Sequence, residues 1–151
     1  MQIRLADLDD LEAIEKIVDL AYGVYVERIG MRPGPMDDDY VGRVRKGLVS
    51  VADDPDVVGL IVLIQKPEVL LIENVAVDPS RQGEGIGGAL LEFAATEARR
   101  KGLDQLSLYT HEKMRENLEL YARLGYSIDE RREEDGFARV FMSKRLESDP
   151  V

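Results

Sequence analysis

Between residues 82 and 88 the chain reads Gln82-Gly83-Glu84-Gly85-Ile86-Gly87-Gly88, a run suited to holding an anion. Four glycines strip side chains from a backbone that can then bring several N–H groups toward one point, and a glycine-rich turn that feeds a helix N-terminus is most often a phosphate site. Nine residues upstream of Gln82 stands Glu73, a carboxylate inside an otherwise apolar run, Val69 to Val77. Burying a carboxylate is costly unless it has a partner or a task, so Glu73 is either a proton acceptor or one half of a structural pair. Cysteine is absent and histidine occurs once, at His111. A thiolate nucleophile, disulfides, Cys-based metal sites and His-rich metal sites are therefore excluded.

These residues need a scaffold, and the flanking sequence supplies one. Val69 to Val77, VLLIENVAV, is apolar on both alternating faces, as in a strand covered from two sides. From Gly85 to Lys101 a helix is predicted, with Ile86, Leu90, Phe93, Ala94 and Ala98 at helical spacing. Arg99, Arg100 and Lys101 fill its last turn and Gly102 follows, favourable by dipole and by left-handed cap. Gly83, Gly85 and Gly88 also satisfy the dinucleotide pattern G-x-G-x-x-G. The context argues against that reading. Asp78 to Gln82 separate the strand from the first glycine, and only about sixty residues follow, too few for two βαβ halves. No Walker lysine string is present.

The stretch Gln82-Gly83-Glu84-Gly85-Ile86-Gly87 resembles the Q/R-x-x-G-x-G/A motif of the GNAT N-acetyltransferase superfamily. Asn74-Val75-Ala76-Val77-Asp78-Pro79 resembles that family's strand and exit turn, and Leu120-Tyr121-Ala122-Arg123-Leu124-Gly125-Tyr126 its downstream LYxxLGF segment. The matches fall in the family's order and cover roughly the C-terminal half, while the first sixty residues match in layout only.

The resemblance implies transfer of an acetyl group from acetyl-CoA to a primary amine, directly and without metal. Residues Gln82, Gly83, Glu84, Gly85, Ile86, Gly87 and Gly88 would then hold the cofactor's diphosphate through backbone N–H groups, and Val75, Ala76 and Val77 would pair with its pantetheine arm as an extra strand would. Glu73 becomes the general-base candidate, acting directly or through water, with Glu112 as second choice. Tyr121 stands where many relatives place the tyrosine that faces the CoA sulfur; a neutral phenol can give a proton to a thiolate. The alternative is a core tyrosine. Asn117, four residues earlier and on the same helical face, is a candidate for the pantetheine arm. Met114 occupies the position where the family commonly has asparagine, and Gln82 one where it often has arginine; Arg81 either replaces that charge or is a surface residue. Asn74 is a poor strand residue and is expected to mark a β-bulge that frees an oxyanion donor. His111 is read as a loop residue rather than a proton carrier.

Taken in order, strands are expected at Met1–Leu5, Leu48–Ala52, Val57–Gln65, Val69–Val77, Leu106–Tyr109, Tyr126–Arg132 and Phe137–Lys144. Helices are expected from Asp7 to about Tyr22, from Asp37 to Lys46, from Gly85 to Lys101 and from Glu112 to Leu124. Tyr22 and Tyr25 line a pocket or simply pack. Arg28 to Pro35 breaks the first helix and reads as a substrate lid or a plain loop. The order is β-α-α-β-β-β-α-β-α-β-β, an α/β (α+β) class chain, and the resemblance implies the GNAT fold: a mostly antiparallel, twisted mixed sheet flanked by helices. Residues 1–146 are expected to form one domain and 147–151 a frayed tail.

Hydrophobic residues make up 44% and charged residues 33% of the 151 positions, an ordinary composition for a soluble chain. No apolar run reaches the ~20 residues of a membrane span, and MQIRLADLDD lacks the apolar centre of a signal peptide. A cytoplasmic location is the default. The net charge of −10 makes nucleic acid an unfavourable partner, which also weighs against acetylation of an aminoacyl-tRNA. A small-molecule amine ranks above a protein amine as acceptor, and the resemblance admits a homodimer. The rival reading from another class is a CoA-binding regulatory module that keeps the fold and does no chemistry.

Overall fold

The computed structural model describes residues 1–147; of the tail expected at 147–151, all but its first residue lies outside the described residues. Among the described residues, seven strands and four α-helices follow one another as β1 (Gln2–Leu5), α1 (Leu11–Ile29), α2 (Tyr40–Arg45), β2 (Val49–Asp53), β3 (Val57–Gln65), β4 (Leu70–Val77), α3 (Ile86–Arg100), β5 (Gln105–His111), α4 (Arg115–Arg123), β6 (Ser127–Glu134) and β7 (Phe137–Arg145). This is the order expected from the sequence. The sheet runs β1-β2-β3-β4-β5-β7-β6. It is mixed: β1/β2, β2/β3, β5/β7 and β6/β7 pair antiparallel, whereas β4/β5 is parallel.

The chain divides into two compact units, residues 1–63 with 74–93 and residues 64–73 with the described residues from 94 onward. In the first unit, Arg4 grips both oxygens of Asp10 at 2.8 and 2.9 Å, while Asp10 and Asp7 form a capping box at a 3-10 turn that launches α1. Arg4 holds the Asp10 carboxyl below the usual carboxylate range. Ile14, Ile17 and Val18 of α1 are buried, as are Val49 and Val51 of β2 and Leu60, Ile61 and Val62 of β3. Each such side chain contributes about 1.5–3 kcal/mol over an exposed one.

Helix α1 continues seven residues beyond the expected end at Tyr22, to Ile29. Its apolar stripe fades earlier, with Val24 exposed, but a helix stops where the backbone must turn left-handed, and that residue is Gly30 at φ 86°. The second helix is shorter than expected. Residues Gly34–Asp37 form a 3-10 turn, Asp38 is extended, and Asp39 caps α2 by accepting from the Gly42 N–H at 3.0 Å.

In the second unit, β4 and β5 pair through Leu70–Leu106, Leu71–Ser107 and Ile72–Leu108. Leu70, Ile72, Leu106, Leu108, Val140 and Met142 form its buried layer with Ala94, Ala95 and Ala98 of α3. Strand β5 outruns its expected end at Tyr109 because Thr110 and His111 find partners in Val140 and Arg139 of β7. The β6–β7 hairpin turns at Asp135 and Gly136, both at positive φ, 51° and 83°, as an Asp-Gly pair predicts. Strand β6 is the outer strand, exposed along most of its length and dense in charge from Asp129 to Glu134, with a register shift between Ile128 and Glu130. Such charges and bulges protect an open edge from pairing with other chains.

Candidate functional site

The end of β4 from Asn74 onward, in the first unit, leads through a glycine-rich connection into α3. The strand is not equally covered on its two faces, as the apolar run suggested. Leu70, Ile72, Asn74 and Ala76 are buried, while Leu71, Glu73, Val75 and Val77 are half-exposed. Val75 and Val77 thus share an accessible side of the strand, and Ala76 anchors it. Asp78 then accepts from the Ser80 backbone N–H and hydroxyl, both at 2.9 Å, which keeps its carboxyl below the usual range and closes the exit turn.

Gln82, Gly83, Glu84 and Gly85 are exposed, with Gly83 and Gly85 both at φ 83°. A side chain at either position would be strained. Gly85 accepts the first helical hydrogen bond, from the Ala89 N–H at 3.0 Å. The N–H groups of Ile86, Gly87 and Gly88 open the helix and have no carbonyl one turn earlier inside it. Ile86, 3% exposed, pins this turn to the core. A Cβ at Gly88 would meet nothing within 4 Å, and one at Gly87 only Val77 Cγ2 at an ordinary 3.7 Å. Packing within the chain therefore does not require glycine at either position.

Arg81 does not take over the role of the missing arginine at Gln82 as a free charge. Its guanidinium is engaged by Glu84 at 2.9 Å, by Asp54 Oδ2 at 3.0 Å and by the Asp54 carbonyl at 3.1 Å. These contacts tie the glycine turn to Asp54.

The second unit carries Glu73, Asn117 and Tyr121. Glu73 is half-buried on the more accessible face of β4. Tyr121 is buried in α4, with its ring 5.7 Å from that of Tyr126. Asn117 lies in the same helix, and its amide nitrogen is 3.7 Å from the Met114 sulfur, which also receives the Thr110 hydroxyl at 3.4 Å. Met114, in the position expected to be asparagine, is buried beneath these two polar groups. Glu112 is not at a helix start. It precedes α4, is exposed, and its N–H donates to Ala138 O at 2.9 Å. His111 ends β5 rather than sitting in a loop; its ring packs edge-on against Phe137 at 6.3 Å, and Nδ1 accepts the Lys113 N–H at 3.1 Å. Among the described residues, no cluster of three or more His, Asp or Glu is arranged to hold a metal ion. No helix among them is long and apolar enough to cross a membrane.

Sequence reasoning missed a polar network in the first unit. Asn74, 3% exposed, uses both ends of its amide. Its Oδ1 accepts from the Tyr22 hydroxyl in a short hydrogen bond, and its Nδ2 donates to the Tyr40 hydroxyl at 2.8 Å. Tyr40 donates onward to the Pro35 carbonyl at 2.7 Å, and Tyr22 also lies 3.1 Å from the Val75 carbonyl. The signal was present: an asparagine in an apolar strand requires partners, and Tyr22 and Tyr40 are aromatic residues with polar ends.

The acetyltransferase (GNAT) family model matches residues 11–126. Over 68 residues, 45% of this chain, the sequence is 38% identical to N-alpha-acetyltransferase 80 of Mus musculus, of which the match covers 20%. An uncharacterised N-acetyltransferase of Methanocaldococcus jannaschii is 36% identical over 67 residues, 44% of this chain and 30% of that protein. The chain thus matches less than a third of the length of either curated relative. In three dimensions it is similar to the PaiA N-acetyltransferase of Thermoplasma acidophilum in complex with coenzyme A, with a TM-score of 0.81, 17% identity, and coverage of 96% of this chain and 98% of that one. At that identity the likeness shows the fold.

Proposed function

The chain belongs to the GNAT acetyltransferase family, and from that premise we propose that it moves an acetyl group from acetyl-CoA directly to a primary amine, a small molecule ahead of a protein. The observation that carries this reading is the pair Gly87 and Gly88. Glycine inside a helix costs about 1 kcal/mol relative to alanine, and neither position is short of room. What glycine leaves open is the approach of an external group to the first N–H donors of α3, where a helix favours anions. The residues fit a diphosphate held by backbone amides from Gln82 to Gly88. Val75 and Val77, on the accessible side of β4, fit a pantetheine arm lying alongside the strand.

The chemistry assigned to this chain's side chains is proton transfer. The amine nitrogen attacks the thioester carbonyl; a C–N bond forms, the C–S bond breaks, and the electron pair leaves on sulfur. Glu73 takes the proton lost by the amine, directly or through water, and Tyr121 supplies one to the departing thiolate. A backbone N–H of β4 beside the thioester would stabilise the developing oxyanion, a contribution of about 3 kcal/mol in comparable sites.

The test is calorimetric titration with acetyl-CoA, followed by incubation with a panel of amines and mass analysis of the products. Uptake of acetyl-CoA with an acetylated amine supports the proposal. Uptake without product across the panel favours the regulatory module, and no uptake by folded protein removes both.

A further inference from the structure

We propose that Asn74, with Tyr22 and Tyr40, forms a positioning relay that ties residues 35–40 to the Val75 peptide group and so sets the rate of acetyl transfer rather than the affinity for CoA. The inference rests on the acetyl-transfer reading above.

The hydroxyl protons give the relay a direction. Tyr40 has one proton and gives it to the Pro35 carbonyl at 2.7 Å, so toward Asn74 it can only accept, and Asn74 Nδ2 must donate. That orients the amide and turns Oδ1 toward Tyr22. The single proton of Tyr22 is shared between Asn74 Oδ1 and the Val75 carbonyl, 3.1 Å away. A shift of residues 35–40 would release Nδ2, let the amide turn, and change how Tyr22 holds Val75. All three side chains are nearly closed to solvent, with Asn74 at 3%, Tyr40 at 5% and Tyr22 at 8% exposure. Water is therefore poorly placed to substitute for a lost bond.

Packing does not account for an amide at this position. Leu70, Ile72 and Ala76 are buried on the same side of β4, and an aliphatic residue at 74 would continue the pattern. What the amide adds is a fixed geometry, since linked hydrogen bonds in a low-dielectric interior polarise one another. The end of the relay is the peptide group joining Val75 to Ala76, on the strand where the thioester is proposed to lie. The glycine turn is braced separately by Arg81, Glu84 and Asp54, which is why cofactor affinity is expected to be insensitive to the relay.

The experiment uses Tyr22→Phe, Tyr40→Phe and the double variant, which keep the rings and remove the hydroxyls, so that a failure of Asn74→Leu to fold leaves the inference testable. Each single variant should lower kcat about fivefold, the rate equivalent of one net hydrogen bond, and the double variant should be no worse than the slower single. The dissociation constant for CoA should stay within about twofold in all three. Rate losses that multiply in the double variant, or variants that change only the melting temperature, overturn the relay while leaving acetyl transfer intact. A wild-type protein that acetylates nothing overturns the acetyl-transfer reading and the relay with it.

Discussion

The Arg81 guanidinium closes on the Glu84 carboxylate at 2.9 Å across the turn that enters α3, which places a carboxylate beside a site proposed for a diphosphate. Arg81 also reaches Asp54 at 3.0 Å, and the N-terminal ammonium lies 3.8 Å from the other Asp54 oxygen. Replacing Arg81 by glutamine would leave the Glu84 carboxylate without its cation beside the proposed diphosphate site. Arg81→Gln should therefore weaken acetyl-CoA binding by about tenfold at low salt and by less at high salt, where screening reduces the repulsion. Glu84→Gln should act in the opposite direction. Titrations at two ionic strengths check both, and equal affinities in wild type and Arg81→Gln would place the diphosphate elsewhere.

Gly88 offers a case in which stability and binding should move apart. A methyl group there meets nothing within 4 Å, and Gly→Ala in a compatible conformation stabilises by about 0.4–1 kcal/mol. If the N–H of residue 88 and its neighbours hold a diphosphate, the same methyl intrudes on the ligand. Gly88→Ala should raise the melting temperature while lowering acetyl-CoA affinity at least about tenfold, a loss of 1.4 kcal/mol or more. A variant that is both more stable and equally tight would remove the main support for the cofactor site.

Gly59 of β3 behaves differently, because there a side chain has no room. Its Cβ would lie 3.1 Å from the Ala76 carbonyl, 3.1 Å from Leu90 Cδ1 and 3.2 Å from Ile86 Cγ2. Ile86 and Leu90 are buried in the first two turns of α3, so the absent side chain is what lets the helix settle against the strands. Gly59→Ala should cost about 1–3 kcal/mol by overpacking and also loosen cofactor binding, since the proposed donors ride on the displaced turn. Chemical denaturation and acetyl-CoA titration of the same variant measure the two effects; an unchanged midpoint would mean that α3 yields freely.

Periodicity and breakers carried the fold far in the sequence. Strand β3 spans Val57–Gln65 as expected, because a run of β-branched residues between a polar turn and Lys66-Pro67 leaves few other registers. Ends set by partners were not legible. Nothing local to Thr110 and His111 announces that Val140 and Arg139 will extend β5, and nothing near Tyr22 shows that α1 will persist to Ile29. The glycine turn itself was legible because its residues are contiguous and Gly83 and Gly85 both take the positive φ that glycine allows. The Asn74 relay and the clearance at Gly59 join residues tens of positions apart, and each looked locally like a misplaced polar group or an ordinary strand glycine.

His111, the single histidine, makes folding stability fall as the solution is acidified. Burial pushes its pKa below the ordinary imidazole value; nearby Glu112 opposes this, while Lys113 and Arg139 add to it. The geometry agrees, because Nδ1 accepts the Lys113 N–H at 3.1 Å and cannot also carry a proton. The unfolded chain thus takes up a proton first as pH falls below about 6.5, and folding stability drops from there down to the lower folded-state value. Above that window the contribution is constant. His111→Gln should lose less melting temperature than wild type between pH 7.5 and pH 5.5, about one unit either side of the reference value, as measured by differential scanning calorimetry. Parallel curves for the two proteins would show that His111 stays solvated in both states.

Tyr121 is the side chain whose replacement most directly separates chemistry from binding. It is buried, and its ring packs 5.7 Å from Tyr126; phenylalanine preserves that packing and removes only the hydroxyl. A general acid contributes about 10²–10⁴-fold to turnover, so Tyr121→Phe should lower kcat by at least about a hundredfold while leaving the dissociation constant for CoA within about twofold. The thiolate can then leave only with a proton from solvent, and the loss should shrink when a thioester with a more acidic leaving thiol replaces acetyl-CoA. A variant with weakened CoA binding and unchanged turnover per bound complex would make Tyr121 a packing residue and leave the protonation of sulfur to another group.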